Sequence, residues 1–192
     1  MRLFYSGAAN FEAPQPNVSQ SLGNYISSDQ VPNDRVGATL SSISRLIKQD
    51  DDKQVFLLVL KNNTGSDATG ITIYYDYPTI DVEGVPTPIN KYKVELAFVD
   101  PAIDSNGDPI YEKIDSSKSL PLTGTFAEYV GSGSPAAIGD LSNEQTIGIW
   151  FKATLDPTNN TPLTDQELFD NYESGNVVDQ SKETISFFIE YT

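Results

Sequence analysis

The chain has 192 residues, with 27 aspartates and glutamates against 12 lysines and arginines, and neither cysteine nor histidine. That length accommodates one medium domain with a real core, while the missing residue types exclude disulfides, thiolate and imidazole metal sites, cysteine nucleophiles and Ser-His-Asp catalysis. A formal charge of -15 argues against broad contact with nucleic acid or anionic lipid.

The charge is unevenly placed. Residues 1 to 49 hold four basic and three acidic side chains, a net +1, whereas residues 50 to 192 hold eight and twenty-four, a net -16. Copies of such a body repel one another, so crowding them requires specific contacts or cations. The opening residues Met1 to Gly7 lack the apolar length of a signal peptide, and no later run approaches a membrane span. The expectation is a protein made in the cytoplasm, in which Asn17, Asn62 and Asn159 of the three Asn-x-Ser/Thr patterns are turn residues.

In chain order, residues 1–38 lack sustained periodicity and are dense in Gly, Ala, Ser, Asn and Pro. Ala13-Pro14-Gln15-Pro16 favours extended backbone. This reads as an extended N-terminal arm, with the main domain over 39–192. The arm carries Leu3, Phe4, Tyr5, Phe11, Leu22, Tyr25 and Ile26, more apolar groups than a solvated linker holds. They pack either on the body or on a neighbouring molecule, and are the candidate interaction residues. Leu40, Ile43, Leu46 and Ile47 have helical spacing sufficient for one or two turns, ahead of a solvated acidic turn at Asp50-Asp51-Asp52.

Val55-Phe56-Leu57-Leu58-Val59-Leu60 is too short for an independent helix and is closed by Asn62-Asn63-Thr64-Gly65. It reads as a strand buried on both faces. Ile71, Ile73, Tyr75 and Tyr77 then alternate with Thr72, Tyr74 and Asp76, and the two runs are expected to form a hairpin. Residues 78–88 contain three prolines and read as a crossing loop. Val94, Leu96 and Phe98 alternate as a strand that Asp100-Pro101 stops.

Asn106-Gly107 between β-like runs signals a hairpin turn, since both residues accept positive φ. Asp104, Asn106 and Asp108 also place oxygens at alternate positions, a faint calcium-loop pattern without the downstream bidentate glutamate. A strand is expected near 123–129, and Gly131-Ser132-Gly133-Ser134 reads as a flexible loop, because no lysine or helix follows it. Ile147, Ile149 and Phe151 define one face of a strand with Trp150 on the other as a core anchor. Thr164-Asp165-Gln166-Glu167 has capping-box spacing and predicts a short helix ending by Gly175. Ile185, Phe187, Ile189 and Tyr191 alternate inward along a final core strand.

Short strands between Pro, Gly and Asn loops point to an all-β antiparallel sandwich. Immunoglobulin-like and jelly-roll Greek-key connections both fit. No catalytic residue, cofactor or firm metal site emerges. The alternative is an immunoglobulin-like binding module for carbohydrate or a host surface, with Tyr74, Tyr75, Tyr77, Tyr92 and Tyr111 as stacking platforms. Paired carboxylates of a glycosidase are a weaker alternative, since abundant acids pair by chance.

Three stretches, in their order and at their separations, resemble small virion structural proteins of tailed bacteriophages. They are Leu3 to Asn10 continued by Ser21 to Ser28, then Val55 to Asp76 with its Lys61-Asn62 step, and Ile138-Gly139-Asp140-Leu141 followed by Ile147 to Lys152. The resemblance implies a non-enzymatic β-sandwich in many copies at the capsid surface or around the portal, neck and tail. Its partners would be other virion proteins and copies of itself, with no direct nucleic acid and no membrane. Its location would be the virion, after synthesis in the host bacterial cytoplasm. The Trp150 strand ends on a single basic residue, Lys152, where the resemblance implies a more positive end.

Overall fold

A computed structural model describes residues 1–14, 21–31, 53–77, 79–82, 85–88, 92–114, 124–155 and 186–192. Twelve strands and no helix occur among them: β1 (Arg2–Ala8), β2 (Asn24–Gln30), β3 (Lys53–Lys61), β4 (Ala68–Asp76), β5 (Thr79–Val82), β6 (Val85–Pro88), β7 (Tyr92–Val99), β8 (Ala102–Ile103), β9 (Pro109–Tyr111), β10 (Ala136–Leu141), β11 (Thr146–Leu155) and β12 (Ser186–Glu190). The helix expected at 164–175, the helical spacing over 40–47 and the acidic triplet 50–52 lie outside the described residues.

The protein is all-β, and every strand pairing is antiparallel. A seven-stranded sheet has the order β7-β11-β3-β1-β2-β9-β8, a three-stranded sheet the order β10-β4-β12, and β5 with β6 forms a small ribbon. In β3, Val55 to Leu60 are all buried. Alternation then sends Phe56, Leu58 and Leu60 to one cluster and Val55, Leu57 and Val59 to another. The first cluster joins Leu58, Ile149, Phe151 and Leu96 of the large sheet to Ile71, Ile73 and Tyr75 of the small one. Phe151 stacks on Phe56 and meets Phe187 of β12 edge-on, each at 5.0 Å between ring centres. The second cluster covers the opposite face with Phe4, Ile26, Tyr111, Ile114 and the fully buried Trp150. Burying one such side chain contributes about 1.5–3 kcal/mol.

The leading residues are strands rather than an arm. β1 lies between β2 and β3, pairing Leu3 with Leu60 and Tyr5 with Leu58. Their period is hidden in the sequence because both faces of β1 are covered: Leu3 and Tyr5 join one cluster and Phe4 the other, so Leu3-Phe4-Tyr5 is apolar throughout. The register of β1 against β2 shifts between Phe4 and Ser6 and again between Ser6 and Ala8. At Ser6 the chain leaves β3, and Ser21 takes its place: Leu57 N–H donates to the Ser21 carbonyl at 2.7 Å. The Ser21 hydroxyl donates to the Leu57 carbonyl, and Ser6 N–H donates to Ser21 Oγ at 2.8 Å.

β3 and β4 do not pair. A strand apolar on both faces needs cover on both, which the middle of the large sheet supplies, while the alternating β4 suits a layer with one open face. The connection 62–67 therefore carries the chain between sheets. The proline-rich stretch pairs as the β5–β6 ribbon, with Pro86 and Pro88 in an isolated two-stranded element where a missing N–H need not break a ladder. Among residues 124–130, isolated bridges replace the expected strand. Ala127 exchanges backbone bonds with Leu96 at 2.8 and 3.0 Å, and Tyr75 N–H donates to the Tyr129 carbonyl at 3.0 Å, so this segment crosses from the β7 edge to β4. Among the described residues β12 is an outer strand of its sheet, beside β4.

Candidate functional site

Leu3, Phe4, Tyr5 and Ile26 are buried in the sheet cores, at 8 % exposure or less. Phe11 and Leu22 are partly buried against the Trp150 cluster. Tyr25 is half-buried, and its hydroxyl donates to Asp104 Oδ2 at 2.8 Å. Of the two places the sequence left open for these side chains, the body takes Leu3, Phe4, Tyr5, Phe11, Leu22 and Ile26. β1 carries Leu3, Phe4 and Tyr5 and β2 carries Tyr25 and Ile26, with Leu3 and Tyr5 in one cluster and Phe4 and Ile26 in the other.

The 104–108 segment is a turn, with Gly107 at φ 90° and its N–H donating to the Asp104 carbonyl at 3.1 Å. Asp104 Oδ1 accepts from the N–H groups of Asn106 and Asp108 at 2.8 and 2.9 Å. The Asp108 N–H, followed by the Tyr25 hydroxyl, holds the Asp104 carboxyl below the ordinary range, while the bond to Asp104 raises the Tyr25 hydroxyl. The Asp104 carboxylate thus closes the turn and holds the Tyr25 hydroxyl. Among the described residues no group of three or more acidic side chains is arranged to hold a metal ion.

The tyrosines proposed as stacking platforms are mostly inside. Tyr75 is fully buried with its hydroxyl donating to the Val94 carbonyl, and Tyr111 donates to Thr146 Oγ1 at 2.8 Å. Burial pushes both hydroxyls well above the tyrosine range. Tyr77 is half-buried, and the Tyr92 side chain lies outside the described residues.

Lys61 and Asn62 have separate roles. Lys61 Nζ pairs with Glu12 at 3.1 Å and Glu144 at 2.8 Å; burial opposes its charge, and the bonds to Glu144 and Glu12 more than offset this, raising its pKa. Asn62 is fully buried and donates to the carbonyls of Ser66 and Leu141 at 2.9 and 2.8 Å, while accepting from the Thr64 hydroxyl at 2.8 Å. Lys152 is matched by Glu95 at 2.5 Å and sits 4.8 Å over the Phe126 ring. The basic end of the Trp150 strand is therefore neutralised by its neighbours.

Among the described residues no further strand lies beside β12 on the side away from β4. On its outer face Phe188, 39 % exposed, stacks on Tyr74 at 4.9 Å, and the Tyr74 hydroxyl donates to Glu190 at 3.1 Å. Burial, then that bond, raises the Tyr74 hydroxyl. On its inner face a groove of about 270 Å³ runs between Phe187, Ile189 and Tyr191 and the residues Met1, Arg2, Leu3 and Val31. Sequence reading saw the alternation here but not that this strand is an edge.

At this level of description the molecule is an all-β protein of antiparallel sheets, with no helix among the described residues long and apolar enough to cross a membrane. Set against known proteins, the chain matches no family model, no curated protein and no solved structure.

Proposed function

We propose that this protein is a structural component of a tailed-bacteriophage virion, a β-sandwich of immunoglobulin-like or jelly-roll connectivity that works through its outer surfaces and carries no catalytic centre. The observation that carries the reading is that the three stretches bearing the resemblance are neighbours in space. β1 pairs with β3, β3 pairs with β11, and Asn62 bonds the carbonyl of Leu141 at the end of β10. The shared core of the two larger sheets supports the sandwich. The acidic body favours standing exposed to solvent, and the leading residues, being core, leave the contacts to the faces and edges of the body.

The test is location. Density-purified particles should contain the protein by mass spectrometry, and gold-labelled antibody should decorate one site on intact particles. A protein recovered wholly in the soluble lysate, and absent from washed particles, would overturn the reading.

A further inference from the structure

We propose that β12 is a strand-addition site, which takes an extended segment of a different protein whose residues alternate between apolar and basic. Three observations converge on it. β12 pairs with β4 on one side and is the last strand of its sheet among the described residues, so its outer side presents backbone donors and acceptors. The seven-stranded sheet is wider than the three-stranded one, and the groove at the inner face of β12 is walled by Leu3, Val31, Phe187, Ile189 and Tyr191 together with Met1 and Arg2. The outer face beside the same edge carries the exposed Phe188 ring and the Glu190 carboxylate, with Asp76 one strand further in, paired across from Ser186.

An added strand places successive side chains on alternate faces. One set faces the groove, where Leu3, Val31, Phe187 and Ile189 favour apolar side chains and the Arg2 guanidinium disfavours basic ones. The other lies beside Phe188 and Glu190, where a lysine or arginine meets both a carboxylate and the face of an aromatic ring. The described ion pairs of Lys61, Lys93 and Lys152 lie away from this edge, with Glu12, Glu144, Glu95 and Glu128. A second copy of this chain is the poorer occupant, because bodies each carrying -15 repel. The inference rests on the reading above only in taking the molecule to work by contact. Particle location tests that reading separately.

The experiment uses the full chain and three synthetic peptides: a blocked (Lys-Val)4 octamer, the same peptide N-methylated on alternate amides, and a (Glu-Val)4 octamer. The first should bind and slow amide hydrogen exchange at Phe187 to Glu190 by at least tenfold. The N-methylated form should bind at least tenfold more weakly, and the glutamate form not at all. Phe188→Ser, on the solvent side of the sheet, should weaken the first peptide about tenfold while leaving the thermal transition in place. The proposal is overturned if the β12 amides facing away from β4 are already protected in the free protein, through its own chain or a dimer. It is equally overturned by absence of binding, or by equal binding of the N-methylated peptide, which would mean attraction to acid alone.

Discussion

The side-chain amide of Asn62 donates to the Leu141 carbonyl at 2.8 Å, joining the end of β3 to the end of β10 across the two larger sheets. The backbone repeats the link, since Asn62 N–H donates to the Gln145 carbonyl at 2.9 Å and the Asn62 carbonyl accepts from Glu144 at 2.7 Å. One buried residue therefore fixes where the chain changes sheet.

Asn62→Ala should lower stability by about 3 kcal/mol, because it leaves buried carbonyls without donors in addition to removing the bonds themselves. Asn62→Asp should cost a comparable amount, since a carboxylate accepts but cannot donate to Leu141 and Ser66. Urea unfolding followed by Trp150 fluorescence measures both. A loss below about 0.5 kcal/mol, the range of ordinary surface substitutions, would show the clamp to be dispensable.

Gly23 sits at φ 97°, and a Cβ there would lie 1.9 Å from the Glu112 carbonyl oxygen. Gly23→Ala should abolish cooperative folding or come close to it. Gly107 has a similar φ of 90° with open space around it, so Gly107→Ala should cost only the left-handed backbone penalty, about 1–2 kcal/mol. Comparing the two thermal transitions separates collision from conformation.

Removing residues 1–31 should leave a chain without a cooperative transition, because it strips β1 from the centre of the large sheet and exposes the edge of β3. Leu3→Ala alone should cost about 2–5 kcal/mol. A truncated body that melts like the full chain would restore the idea of a detachable arm.

The Tyr25–Asp104 bond links stability to pH at both ends. The Asp104 pKa is depressed in the fold, so its contribution is present above the ordinary aspartate pKa and fades as pH falls through the lowered value. The Tyr25 pKa is raised, so its contribution is present below the ordinary tyrosine pKa and fades as pH rises through the raised value. In Tyr25→Phe the Asp104 carboxyl should titrate higher by NMR, yet stay below the ordinary range because the Asp108 and Asn106 N–H groups remain. An unmoved Asp104 titration would show that the hydroxyl contributes nothing.

Trp150 is fully buried, and among the described residues its indole N–H has no hydrogen-bond partner. Its emission should be blue-shifted and resist acrylamide quenching. Trp150→Phe should be tolerated better than Trp150→Ala, which should cost about 3–5 kcal/mol, because phenylalanine keeps most of the apolar volume and removes the orphan donor. Equal losses would point to the N–H making a bond in solution.

Local pattern determined a good deal. The unbroken apolar run of Val55 to Leu60 specifies a strand covered on both faces, the alternation of Ile71 to Tyr75 a strand with one covered face, and Asn106-Gly107 a turn, since each depends on side chains within a few residues. What only the tertiary structure decided is the partnership of those strands. Pairing joins Leu3 to Leu60 and Phe56 to Phe151, residues far apart in the chain whose side-chain types say nothing of one another. β1 is covered on both faces, so Leu3, Phe4 and Tyr5 show no polar alternation and, among Gly, Ser, Asn and Pro, read as an extended arm. The same logic hid the β12 margin: whether a strand is central or an edge depends on what lies beside it, and hydrogen bonding between strands leaves no mark on the sequence of either one.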